Sequence, residues 1–556
     1  MKHILKVLVL IASAGLCLAG GKTSTDVPAS GNSPIDVIVR YKTAPTKDEL
    51  KQLGPYGQVK KQFVYINAVE VFISPATIQA VSRDPNVAYI SPNRTNNRML
   101  DITTATVNAP FAWSLGYDGT GVGVAVIDSG VYSHDDLKTG NSLGLRVVYN
   151  ESFVTGLDAS DQYGHGTHVA GIVGSNAHDS TGLGFTRSFK GVAPNVSIIN
   201  LRVLDANGAG SDSGVIAAID RAIALKAAYN IRIINLSLGR PVFESYTLDP
   251  LCQEVEAAWK AGIVVVTAAG NFGRDNTRGT RGYGTIVAPG NDPYVITVGA
   301  MNAMGTPIRT DDKPASYSSK GPTAYDHIVK PDIVAPGNAV ISLMAPNTTL
   351  PTQYPKTLVS DSTYAPGTWG KSPNYFKLSG TSMATPVVAG AAALLLQKTP
   401  SLTPDQVKAR LMKTAWKAVP LFSTANDEYT GTAYNNQSDI FAVGAGYLDI
   451  QAALSNNDLA TLPALSPTAV FDPVSHKVTI LRNMSVVWGD SVVWGDSLVF
   501  GSFVFNGSLS GKSVVWGDSV VWGDTTLAGY SVVWGDSVLT ATGIQGLSAD
   551  DDDGNL

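Results

Sequence analysis

The sequence predicts an α/β fold of three layers, in which a doubly wound, mostly parallel sheet lies between helices. A small α+β unit precedes it and a repeat-bearing tail follows. Three observations lead there. From about residue 118, short runs are apolar on both faces: Val122–Asp128, Val196–Leu204, Ile231–Gly239, Ile263–Asn271 and Tyr294–Ala300. Helical stretches rich in Ala and Gly separate them, and strands of this kind joined through helices form parallel sheets covered on both sides. The alternation ends at Gly446–Leu454, where the unit closes.

The first residues read as an export signal. Lys2 and Lys6 precede an apolar run from Val7 to Ala19, and Gly20-Gly21 follow, so residues 1–19 are expected to be removed and the protein secreted. A lipid anchor through Cys17 is disfavoured by the bulky Leu16 before it. The run is too short to span a bilayer comfortably, and no later segment is long enough.

Residues 20–98 form the next unit, with a core at 35–91. IDVIVRY (Ile35–Tyr41) alternates as a strand, and TKDELKQL (Thr46–Leu53) is a Thr-capped helix. QVKKQFVYI and VEVFISP are strands, PATIQAVSRD is a helix opened by Pro75, and VAYISP is a last strand. The order βαββαβ is ferredoxin-like. Polar Asn93–Arg98 suits a processed linker. The large unit occupies 99–456.

Residues 457–556 are expected to be linker and tail. The hexapeptide SVVWGD begins at Ser485, Ser491, Ser513, Ser519 and Ser531, and these copies hold five of the nine tryptophans. Its even period suits either stacked short strands or a floppy stalk. Asp550–Asp553 read as a solvated terminus.

Composition narrows the function. Apolar residues are 44% and charged residues 15%, with 55 Gly and a net charge of −5, so no basic block supports nucleic-acid binding. There are two cysteines; once Cys17 leaves with the signal, Cys252 has no disulfide partner and reads as a buried, inert thiol.

Four segments place polar residues at the ends of apolar runs. Asp128 terminates a buried strand, where a carboxylate needs a partner or caps a turn. His165 and His168 begin a helix in GHGTHVAG; they suit a metal pair without a third ligand, or one general base, and spacing does not say which histidine that is. Ser382 in SGTSMATP stands at a helix start among unpaired N–H groups, as nucleophile or as N-cap neighbour. Asn271 ends a strand, where its amide serves an oxyanion or a turn. A weak alcohol nucleophile needs a base, and the base an orienting acid, so the set is coherent.

DSG at Asp128, HGTHVAG from His165, AAGN ending at Asn271 and GTSMATP around Ser382, in the chain order Asp, His, Ser, together resemble the subtilisin family of serine peptidases. The resemblance covers about residues 100–456, and residues 35–91 are similar to the family's inhibitory, self-cleaved propeptide. It implies a serine endopeptidase in which Ser382 attacks, His165 is the base, Asp128 orients it, Asn271 and the Ser382 N–H hold the oxyanion, and His168 is structural. It implies protein or peptide substrates, the chain's own propeptide as inhibitor, and chemistry that requires no cofactor. Ser237, Leu238 and Gly239 are expected to pair with an extended substrate. Ala268, Ala269 and Gly270 are expected to line the first specificity pocket. Gly282, eleven residues beyond Asn271, is expected at its floor, leaving room for aromatic or long aliphatic side chains. Asp212 and Arg240 depart from the family pattern. Asp136, with Asn176 and Asp179 in the loop Ser175–Gly191, suggests a structural calcium site.

Two rival classes remain open at this stage: a catalytically silent binding or adhesion protein of the same fold, and an esterase.

Overall fold

The computed structural model describes residues 22–23, 34–92, 99–100, 102–140, 144–277, 279–427, 431–472, 477–481, 520–521 and 544–546. The expected signal segment, the linker 93–98, the Asp550–Asp553 run and most of the SVVWGD copies lie outside them. The chain divides into two compact units, residues 1–97 and 98–556.

The first unit is the expected βαββαβ fold. Its antiparallel strands lie in the order Gly57–Phe63, Ala68–Ile73, Ile35–Tyr41, Val87–Pro92. Its helices are Lys47–Leu53 and Pro75–Ser82. Thr46 caps the first in a reciprocal box: its hydroxyl accepts from Glu49 N at 3.2 Å, and the Glu49 carboxylate accepts from Thr46 N at 2.6 Å. Val37, Val39, Val69, Val71, Ile78 and Ile90 form its core.

The second unit is built on one sheet. In chain order its strands are β1 (Gly123–Asp128), β2 (Val147–Ser152), β3 (Ser197–Arg202), β4 (Ile231–Leu236), β5 (Val264–Ala268), β6 (Ile296–Asn302), β7 (Lys313–Pro314) and β8 (Ile333–Pro336). They lie in the order β7-β6-β5-β4-β1-β3-β2, with β8 also on β6, and only β7 runs antiparallel. After β1 the chain runs out to the edge strand β2, returns to β3 between them, then crosses to β4 on the other side of β1. That reversal puts the topological switch beside Asp128, where α/β sheets open a crevice at their carboxyl ends.

Five helices matter most: α1 (His165–Gly174), α2 (Asp212–Tyr229), α3 (Pro250–Lys260), α4 (Thr381–Lys398) and α5 (Pro404–Thr414). Helix α4 is buried along nearly its whole length and packs on β4, β5, β6 and α1. Its residues Ala384, Ala389, Ala391, Ala392 and Ala393 keep that approach close. Cys252 is buried in α3; burial pushes its thiol well up, and Sγ meets Asn291 Oδ1 at 3.4 Å.

Two details differ from expectation. Helix α4 starts at Thr381, so Ser382 is its second residue and Pro386 lies in its second turn. The segment after residue 456 is also not a loose linker: Ala464, Ser466 and Ala469 are buried, and Thr468–Asp472 pairs with Lys477–Leu481, which pairs with Val520–Val521 inside one SVVWGD copy.

Ser466 joins a buried charge cluster that ties this segment to the sheet. Asp332 accepts from Lys330 Nζ at 2.7 Å and Thr297 N at 2.8 Å, with Lys408 Nζ at 3.3 Å and Ser466 Oγ also bonded to it. Lys408 further donates to the carbonyls of Pro293 and Val295 at 2.8 and 3.0 Å. Burial pulls the Lys408 ammonium down to about 7, while Lys330 and Lys408 hold Asp332 below the usual carboxylate range against its burial. Removing the carboxylate strands two buried cations. Asp332→Ala is therefore expected to lower unfolding free energy by about 3–5 kcal/mol, read from chemical denaturation.

Candidate active site

Asp128 closes β1 and His165 opens α1, and the two side chains meet. Asp128 Oδ1 lies 2.8 Å from His165 Nδ1 and also accepts from Ser129 N at 2.7 Å. Both residues are fully buried. The Nδ1 nitrogen is thereby the protonated one, which leaves Nε2 as an acceptor. That Nε2 is buried and has no hydrogen-bond partner among the described residues.

The loop that delivers His165 is fastened by Asp161, a residue the sequence reading passed over. Its Oδ1 accepts from Ser129 Oγ, Tyr163 N and Gly164 N, and its Oδ2 from Thr167 N and Oγ1, all between 2.7 and 3.1 Å. Burial pushes this carboxyl up and those hydrogen bonds oppose the rise. An Asp four residues before a helix-opening His was the available signal.

Ser382 sits on the other side. Proline has no N–H, so Pro386 cannot bond the Ser382 carbonyl four residues back. Ser237 Oγ donates to that carbonyl instead, at 2.9 Å, and Ser382 Oγ donates to the Ser237 carbonyl at 2.9 Å. Asn235 Nδ2 steadies Ser237 Oγ at 2.9 Å. Helix α1 packs against α4, which brings the His165 and Ser382 helix starts to the same face of the sheet.

Asn271 is tied to the same turn. Its Oδ1 accepts from Thr381 N at 3.0 Å and Thr381 Oγ1 at 3.1 Å, so the amide orientation is set. Its Nδ2 is a buried donor without a partner among the described residues. A buried orphan donor is costly unless a ligand uses it. Asp128 is thus joined to His165, and Asn271 to the turn that carries Ser382, with Asp128 Oδ2, His165 Nε2 and Asn271 Nδ2 left without partners among the described residues.

Ser237, Leu238, Gly239, Ala268, Ala269 and Gly270, the residues expected on the substrate side, are all buried. Gly239 and Gly270 leave no room for side chains: a Cβ would stand 2.5 Å from Val287 Cγ2 at the first, and at the second, where φ is +110°, 2.8 Å from Val287 Cγ1. Val287, rather than Gly282, therefore stands between these two walls. Gly282 instead packs on the backbone of Gly273, where a Cβ would come within 2.0 Å of a carbonyl oxygen. Counting onward from Asn271 misses this because the loop between Asn271 and β6 is not of fixed length.

Asp212 and Arg240, the two departures, form one feature. Arg240 Nε and Nη2 bond Asp212 at 3.0 and 2.9 Å, and Nη2 bonds the fully buried Asp249 at 2.8 Å. Asp249 is also the N-cap of α3, accepting from Leu251 N.

Asp136 lies with His134 and Asp179 in a cluster whose possible ligand atoms all stand within 4.8 Å of one another. Its Oδ2 accepts from Ser175 Oγ at 2.9 Å and Tyr375 OH at 2.8 Å, and its Oδ1 from Asp179 N at 2.8 Å. Asn176 bonds backbone at both amide atoms. Asp179 adds a carboxylate oxygen and His134 a ring nitrogen, so the set mixes one nitrogen with the oxygens that calcium takes.

Residues 119–446 match the subtilase family. The chain belongs to that family. It is 36% identical over 375 residues to the serine protease AprX of Bacillus subtilis, covering 65% of this chain and 77% of that protein. It is 33% identical over 446 residues to subtilisin E of the same species, covering 78% of this chain and 92% of that protein. Alkaline elastase YaB of a Bacillus strain is 33% identical over 357 residues, or 64% of this chain and 75% of that protein. The subtilase is a serine endopeptidase, and the silent-fold reading is not favoured.

His168 lies one turn from His165 in this subtilase and is spent structurally. Its Nε2 donates to the Val340 carbonyl at 3.0 Å, its ring meets Phe376 edge-on, and burial pulls its pKa down to about 3. In the unfolded chain an ordinary histidine titrates near 6.5. Between these values the unfolded state binds a proton that the folded state refuses, so stability is full above about 6.5 and falls as pH drops toward 3. Thermal melts of Ser382→Ala across this range are expected to show that fall. In His168→Gln on the same background the starting Tm is lower and the slope shallower.

Proposed function

We propose that Asp128, His165 and Ser382 are the catalytic triad of a secreted, self-processing endopeptidase, with Asn271 as the oxyanion donor. The observation that carries this is the pair of unspent buried atoms, His165 Nε2 and Asn271 Nδ2, beside a serine at a helix N-terminus. In the resting arrangement Ser382 Oγ bonds the Ser237 carbonyl; a rotation about its χ1 angle turns it to His165 Nε2. His165 takes the hydroxyl proton as Oγ attacks the scissile carbonyl, and Asp128 stabilises the imidazolium. Negative charge develops on the carbonyl oxygen, within reach of the Asn271 amide and the Ser382 N–H, and the positive end of α4 favours it. The leaving amine collects the proton from His165, and water then cleaves the ester.

Specificity follows from Val287. A valine between Gly239 and Gly270 shortens the pocket, which favours aliphatic over aromatic side chains before the cut, a narrowing of the expectation drawn from Gly282. Export rests on Lys2, Lys6 and the apolar run to Ala19, and no helix among the described residues is long and apolar enough to cross a membrane. The first unit is proposed as the inhibitory propeptide, released by the enzyme's own cut between Pro92 and Leu100.

Asn271→Ala is expected to lower kcat on a peptide anilide by about 10²–10³, the loss known for such a donor in subtilisin itself, with little change in KM. Ser382→Ala abolishes turnover and leaves the precursor uncut; normal maturation of that variant with no other protease present would refute self-processing. Val287→Ala is expected to raise kcat/KM for a Phe substrate relative to Leu by about tenfold, since added methylenes in an apolar pocket are worth about 1–3 kcal/mol.

A further inference from the structure

The crevice beside Ser382 is bounded by two short strands, Ala209–Gly210 and Leu238–Gly239, which belong to no other sheet among the described residues. Between them lies a third strand from the far end of the chain, Ile544–Gly546, antiparallel to both. Gln545 faces Ala209 on one side and Gly239 on the other; Ile544 faces Gly210, and Gly546 faces Leu238. Two unpaired edges one strand apart form a slot for one extended peptide. Small residues on both edges, Ala209, Gly210 and Gly239, let a backbone come close.

The register has a direction. Gly546 faces Leu238, and the residue before Leu238 is Ser237, whose carbonyl accepts the Ser382 hydroxyl at 2.9 Å. In the sequence Gly546 is followed by Leu547 and Ser548. A peptide kept in this antiparallel register would set its next residue against Ser237, and a large aliphatic residue there suits the pocket proposed beside Val287.

We infer that the enzyme's own carboxy-terminal segment is a substrate of its crevice, bound as the strand Ile544–Gly546 and cut between Leu547 and Ser548. This rests on the triad assignment above. Ser382 Oγ bonds the Leu547 carbonyl carbon as the Leu547–Ser548 bond breaks. The hydroxyl proton passes through His165 to the Ser548 amine, and water hydrolyses the ester to free Ser382 and a Leu547 carboxylate. The released piece, residues 548–556, carries Asp550–Asp553.

The test is intact mass of three full-length proteins made in one host, with casein hydrolysis measured beside it: wild type, Ser382→Ala and Gln545→Pro. A proline at 545 removes the N–H of a residue paired on both sides. Wild type is expected to end at Leu547 and Ser382→Ala to retain residues 548–556. Gln545→Pro is expected to lose the tail at least ~10-fold more slowly while cutting casein at the wild-type rate. A wild type that cuts casein yet keeps Leu556 overturns the inference, as does equal tail loss in Ser382→Ala or in Gln545→Pro. Absence of casein hydrolysis in the wild type strikes the triad assignment instead.

Discussion

The reciprocal hydrogen bonds between Ser237 and Ser382, both 2.9 Å, are the interaction on which the site depends. One of them exists because Pro386 frees a helix carbonyl that a neighbouring strand must satisfy. This fastens the backbone at Ser382 to the residue that leads into Leu238–Gly239. On the proposed triad, a peptide paired with Leu238 and Gly239 is then in register with Ser382, and the distance between reacting atoms is set by backbone geometry, the condition for a large proximity effect.

The sheet and its ends were legible because burial writes itself as apolar runs. Asp128 and Asn271 stood out by ending such runs, and Ser382 by its place before a buried, Ala-rich helix. The βαββαβ unit was legible for the complementary reason: its strands alternate and its first helix carries a Thr46–Glu49 box. What local pattern did not carry was pairing between distant segments. Asp161 looks like any loop aspartate until five donors are seen to converge on it. Asp212 and Arg240 looked like two independent departures, since residues far apart in the chain do not announce that they will meet.

The expectation for Gly282 transferred a role by position along a loop, and a loop holds no fixed count of residues between its anchored ends. Val287 takes the place expected for Gly282 because its N–H bonds the Ala269 carbonyl at 3.1 Å and the next residue, Ala288, pairs with Arg240, not because of its distance from Asn271. The buried Asp136 carboxylate accepts hydrogen bonds from Ser175, Tyr375 and the Asp179 N–H. Burial pushes that carboxyl up all the same.

The Arg240 pair shows how the crevice is both open and stable. Asp212 follows the strand Ala209–Gly210, and Arg240 follows Leu238–Gly239, so their ion pair joins the two edges just beyond the slot. Arg240 is also held from beneath by Asp249, which is fixed as the cap of α3. Two edges joined only through the short strand Ile544–Gly546 would otherwise be free to splay. The guanidinium sets their separation from outside the peptide's path, and its planar fork serves both carboxylates at once, which a lysine cannot do. Spacing held in this way admits any backbone of extended form, including the chain's own, and leaves side-chain choice to the pocket that Val287 bounds.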